Sequence, residues 1–106
     1  MAKYLIIASY NAEGMQGVIE KGGTARREAV EKLLADLGGT VESFYFAFGD
    51  ADAYVTVDLP DNVSAAAAGL AVGASGKVSC RTVVLLSPEE VDRATQTKVN
   101  YRAPGS

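Results

Sequence analysis

Histidine and tryptophan are absent from this 106-residue chain, and cysteine occurs once. Without imidazole there is no Ser-His or Cys-His nucleophile pair, no His-ligated haem and no zinc site of the Cys/His kind. A single cysteine excludes an internal disulfide and suits a reducing cytoplasm. Cys80 lies inside an apolar strand pattern and reads as a small buried hydrophobe. No apolar run approaches the ~18 residues that a membrane span needs. The opening Met1-Ala2-Lys3-Tyr4-Leu5-Ile6-Ile7 enters a strand pattern without a signal peptide's cleavage region, so the expected location is cytoplasmic. A net charge of −3 leaves no basic surface for phosphate backbones, which argues against nucleic acid. Any catalysis falls to Asp, Glu, Tyr, Lys or Arg, or to a borrowed cofactor. No cofactor is read from these residues. The pair Asp50 and Asp52 reads as turn chemistry and not as a metal site.

What is present has the composition of one globular α/β domain, 48% hydrophobic and 22% charged. Tyr4 to Tyr10 forms a strand. Ala12 to Lys21, broken by Gly14 and Gly17, is a loop or a short, weak helix. From Thr24, a candidate N-cap, Val30, Leu33, Leu34 and Leu37 recur at helical spacing until Gly38-Gly39. Val41 to Phe48 and Ala53 to Leu59 are strands joined by Gly49-Asp50-Ala51-Asp52. Asp61, Asn62 or Ser64 caps a helix of small residues to about Ala74, whose glycines require close approach to a neighbour in return for their helix cost. Lys77 to Leu86 is the last strand. Ser87-Pro88-Glu89-Glu90 has the form of a capping box opening a helix to about Thr95. The order β-α-β-β-α-β predicts an α+β, ferredoxin-like fold with a four-stranded antiparallel sheet. The domain takes residues 1–96 and an extended tail takes 97–106.

Alternation places Phe44, Phe46 and Phe48 with Val55, Val57, Leu5 and Ile7 beneath the helices. It leaves Tyr4, Ile6, Ala8, Tyr10, Tyr45, Tyr54 and Thr56 on the other face. So large an apolar face predicts a homodimer or higher oligomer. The topology also gathers Ser9, Tyr10, Thr24, Arg26, Arg27, Asp50, Asp52, Lys77 and Ser79 at one end. Arg26 and Arg27 stand in the first turn of a helix, where cations are disfavoured by about 0.3–1 kcal/mol each. Arg26 falls inside the apolar stripe and points inward. Two readings compete for it. In one, Arg26 pairs with Asp50 or Asp52, and Arg27 with Glu31, as structural ties. In the other, Arg26 anchors a small anionic or aromatic organic ligand. The ligand set on that reading is Arg26, Arg27, Thr24, Tyr10, Tyr45, Phe48 and Asp50.

The blocks Ala2-Lys3-Tyr4-Leu5-Ile6, Gly22-Gly23-Thr24-Ala25-Arg26-Arg27-Glu28, Glu42 to Asp50 and Asp58-Leu59-Pro60-Asp61 resemble the GYD-domain family. Ser87 to Val91 and Tyr101-Arg102 extend the resemblance along the chain. Ala51 stands where the family usually has its tyrosine, which implies a wider or disabled pocket if that ring closes one. The resemblance implies kinship with dimeric α+β barrels, whose members include cofactor-independent monooxygenases, isomerases and effector-binding domains. It does not choose among them. Three expectations follow: a ligand-binding module, a cofactor-independent monooxygenase or isomerase, or a structural assembly subunit whose helix-to-sheet space Phe44, Phe46 and Phe48 fill.

Overall fold

The computed structural model describes residues 1–105, so Ser106, the end of the expected tail, lies outside the described residues. The elements are β1 (Ala2–Tyr10), α1 (Ala12–Lys21), α2 (Gly23–Asp36), β2 (Thr40–Phe46), β3 (Ala53–Leu59), α3 (Asn62–Ala74), β4 (Val78–Leu85) and α4 (Pro88–Gln96). The strands form one antiparallel sheet in the order β2-β3-β1-β4, with β1 and β3 central as the split βαβ pattern requires. This sheet is open. β2 and β4 each have one neighbour and do not pair with each other, so the barrel expected from the family's relatives is not formed. The fold is an open, ferredoxin-like α+β sheet, with two helices added to the basic pattern.

Both added helices have local causes. Asn11 caps α1 by accepting the Gly14 amide at 2.9 Å, which offsets the two helix-weakening glycines. Gly22, at φ +87°, ends α1 and begins α2 without a break, so Thr24 lies inside α2 and is not its cap. At α4 the capping box is complete, with Ser87 and Glu90 exchanging side-chain and backbone bonds and Pro88 leading the helix.

Strand register corrects the expected assignment of faces. In an antiparallel pair, directly opposed residues point to the same side. Tyr4 opposes Val57, Ile6 opposes Val55 and Ala8 opposes Ala53, so these three β1 residues lie beneath the helices. Leu5 and Ile7 therefore share the open face with Tyr45, Tyr54 and Thr56. A bulge at Glu42 lets Val41 and Phe44, three residues apart, both face the helices. Tyr4 is 1% exposed, and its hydroxyl donates to Asn62 Oδ1 at 2.6 Å, fastening β1 to the first turn of α3. On the open face, Lys3 is held between Glu42 and Asp58, which raise its pKa in that order.

The core comprises Tyr4, Ala8, Leu34, Ala53, Val55, Val57 and Leu59, covered by Ala65 and Ala68 of α3. The alanines therefore make the close approach of α3. Its glycines do not: a Cβ added at Gly69 or Gly73 would meet nothing within 4 Å.

Candidate functional site

One end of the helix-bearing face holds a cleft between α1, the first turns of α2 and the α3–β4 turn. Three local features open it. The Asn11 amide donates to the Lys77 carbonyl at 2.9 Å, and its side chain donates to the Gly76 carbonyl at 2.6 Å, so α1 is moored to the turn after α3. At Gly14 an added Cβ would stand 2.4 Å from the Lys77 carbonyl oxygen, and only glycine permits this approach. At Gly23 it would stand 2.9 Å from the Phe46 ring, which fixes the start of α2 against β2.

The resulting cavity has a volume of about 450 Å³, and its lining includes Tyr10, Gly17, Val18, Lys21, Arg26 and Lys77. A smaller void of about 40 Å³ continues beneath α2 and α3 to Phe44 and Cys80. Tyr10 and Arg26, with Val72 and Val78, border both spaces. Arg26 Nε donates to the Tyr10 hydroxyl at 3.2 Å, and its guanidinium carbon lies 5.6 Å from the ring centroid. The ring is held in turn, because the Tyr10 amide donates to Asp52 Oδ2 at 2.8 Å and the Asp52 amide donates to the Ala8 carbonyl at 2.9 Å. Burial pushes the Cys80 thiol above its usual pKa, with the charge of Arg26 opposing that shift.

Charge in the cleft is unbalanced. Among the described residues, Arg26, Lys21 and Lys77 have no carboxylate within 4.0 Å. The first turn of α2 contains no acidic residue either. Asp52, one of the partners expected for Arg26, is engaged by the Tyr10 amide instead. Arg27 does have its expected partner, with Nε 3.8 Å from Glu31 Oε1 on the exposed side of α2.

Of the ligand residues expected from sequence, the structure brings Tyr10 and Arg26 together at the cleft. Thr24 is exposed on the first turn of α2, and Asp50 is exposed in the β2–β3 turn. Tyr45, 71% exposed, lies on the opposite face of the sheet, and Phe48 projects wholly into solvent at 108%. Ala51 is buried in the turn and lines neither space. Gly17, Val18 and Lys21 were not in the expected set; they enter because 12–21 closes into a helix whose residues 14, 17, 18 and 21 share one side. Lys77 was placed at this end by topology.

An open four-stranded sheet with helices over one face and a cationic cleft at their edge defines a small ferredoxin-like α+β domain. The GYD-domain profile matches residues 4–95, and the chain belongs to the GYD-domain family. Comparison with curated proteins and with solved structures gave no match. Among the described residues no helix is long and apolar enough to cross a membrane.

Proposed function

We propose that this GYD-domain protein is a small-molecule-binding module whose cleft takes an organic anion with an apolar or aromatic body. The observation that carries the reading is Arg26: half-buried in the lining of the cleft, its side chain hydrogen-bonded, among the described residues, only to the Tyr10 hydroxyl, with Asp52, one of its two expected carboxylate partners, engaged elsewhere. A guanidinium in this setting has donors free for a carboxylate or sulfonate. Lys21 and Lys77 add positive potential at the rim, and Val18, Ala25, Ala29, Val72 and Val78 offer apolar wall.

The enzymatic alternative has less support. Asp52 is committed to a backbone amide, and Asp50 and Glu13 are open to solvent, so the cleft offers no sequestered carboxyl group for proton transfer. The purely structural alternative expected three phenylalanines to fill the space beneath the helices. Phe44 and Phe46 do pack together, with centroids 5.2 Å apart, but Phe48 is outside and the cleft stays open.

The protein also self-associates on this reading, burying the open face that carries Leu5, Ile7, Tyr45, Tyr54 and Val83. Its single free thiol fits a reducing cytoplasm.

Titration with anilinonaphthalene sulfonate, a fluorescent aromatic anion, tests the cleft. A charge-assisted hydrogen bond contributes about 1.5–3 kcal/mol, so Arg26→Ala is expected to weaken binding by roughly tenfold or more. Equal affinity in a folded Arg26→Ala variant would refute the assignment.

A further inference from the structure

The C-terminal helix is built but unhoused. No residue of α4 is buried, and it makes no more than marginal contact with any other element. The chain measures 57 × 32 × 23 Å with a radius of gyration of 16.9 Å. A compact chain of this length has a radius near 13 Å. From Val91 to Gly105 every residue is exposed. A helix of nine residues is marginal in isolation, whatever its caps. Yet α4 is strongly two-sided: Pro88, Val91, Ala94 and Thr95 fall on one flank, and Glu89, Asp92, Arg93 and Gln96 on the other.

The same chain carries a matching vacancy. Between α3 and the free edge strand β4 lies a groove of about 450 Å³ whose lining includes Ala66, Gly69, Leu70, Thr82 and Val84. It has no charged residue in its lining, and Leu70 and Val84 are 74% and 55% exposed. Gly69 faces open space there, which leaves room for a helix to approach closely. The dimensions agree. From Cys80 to Val84 the groove runs about 13 Å along the strand, and the nine residues of α4 rise about 13.5 Å.

From these observations we infer that two copies exchange C-terminal arms, α4 of each lying in the α3–β4 groove of the other. The occupant is a second copy and not the chain's own α4, because α4 makes no more than marginal contact with any element of its own chain and contributes no residue to the lining of its own groove. A two-fold axis satisfies both grooves and both helices at once, which closes this interface at two copies. This surface lies on the helix-bearing side at the β4 edge, distinct from both the cleft and the open face of the sheet.

The native cysteine is placed to test it, since Cys80 lines the groove. In Val91→Cys, mild oxidation should yield a covalent dimer whose peptide map joins Cys80 of one chain to position 91 of the other. A disulfide requires the two Cα atoms to come within about 7 Å. Glu89→Cys, on the charged flank, should not form that link. Adding Leu70→Glu to Val91→Cys should abolish it while the circular dichroism stays folded. Should Val91→Cys not fold, Ala94→Cys serves on the same flank. A Cys80–91 link within one chain, or a folded variant with no such link, overturns the inference; so does persistence of the link in the presence of Leu70→Glu.

Discussion

Gly14 and Gly17 sit one turn apart on the same side of α1, and the structure gives them opposite roles. A Cβ at Gly14 would lie 2.4 Å from the Lys77 carbonyl oxygen, a backbone atom that already accepts the Asn11 amide. Relieving that overlap means moving α1 off the α3–β4 turn, a distortion of about 1–3 kcal/mol. Alanine's helix preference returns at most about 1 kcal/mol. Gly14→Ala should therefore destabilise. At Gly17 an added Cβ would meet nothing within 4 Å. Gly17→Ala keeps the full propensity gain of about 0.5–1 kcal/mol and should stabilise. At about 4–8 °C per kcal/mol for a domain of this size, the two alanine variants should differ in Tm by at least about 4 °C.

Gly17→Leu then separates stability from binding. Leucine is nearly as good a helix former as alanine, so the variant should melt above wild type. Its side chain enters the cleft beside Val18 and Lys21, and anilinonaphthalene sulfonate should bind at least about tenfold more weakly. Thermal unfolding followed by circular dichroism, with fluorescence titration of each variant, reads both effects. If Gly14→Ala melts as high as Gly17→Ala, the close approach of α1 to Lys77 is wrong. If Gly17→Leu binds the dye like wild type, the cleft is not the site.

Asp61 caps α3 through the amide and hydroxyl of Ser64, and those bonds hold its pKa below the usual carboxylate value. Its stabilisation is present above the unfolded pKa and lost as pH falls through the lower folded one, so Asp61→Ala should reduce Tm at pH 7 and converge with wild type in acid. Equal Tm deficits at pH 7 and in strong acid would remove the carboxylate from the cap. Arg27→Ala breaks only the exposed pair with Glu31 and also takes a cation away from a helix N-terminus, so its stability should stay within about 0.5 kcal/mol of wild type by urea denaturation. A loss several times larger would mean that Arg27 has a second, more buried partner.

The strand order and the main helices were legible because each rests on local chemistry: helical spacing from Val30 to Leu37, the turn after Phe48, and the Ser87 capping box. The faces of β1 were not. Leu5, Ile6 and Ile7 are all apolar, so alternation alone cannot decide which side is buried. Only the register of Tyr4 against Val57 does so, and register is a long-range property. The barrel expectation failed differently, since closure depends on how edge strands are partnered and no pattern within β2 or β4 reports that. The inward direction of Arg26 was legible from the helical wheel. Its lack of a carboxylate partner was not, because it depends on Asp52 turning to the Tyr10 amide. The cleft wall from α1 was hidden by glycine. Gly14 and Gly17 lower helix propensity over residues 12–21, and it takes the Asn11 cap and the mooring to Lys77 to hold that segment helical.

The chain as a whole is acidic, with net charge −3, yet the cleft gathers Arg26, Lys21, Lys77 and the uncapped amides at the start of α2. On the proposed reading, a positive site within a negative molecule would be selective by its local field, because the surrounding charge repels polyanions that a basic surface would collect. Among the nearby acidic groups Glu13 alone lines the cavity, at its exposed rim. On the proposed reading it would disfavour large, highly charged anions more than a single carboxylate held by Arg26. Binding of a monoanion should therefore weaken only modestly as salt rises, since Arg26 is half-buried and screened less than the rim lysines. Affinity for anilinonaphthalene sulfonate that collapses between low and physiological salt would instead locate the attraction at Lys21 and Lys77 in solvent, and would remove Arg26 as the anchor.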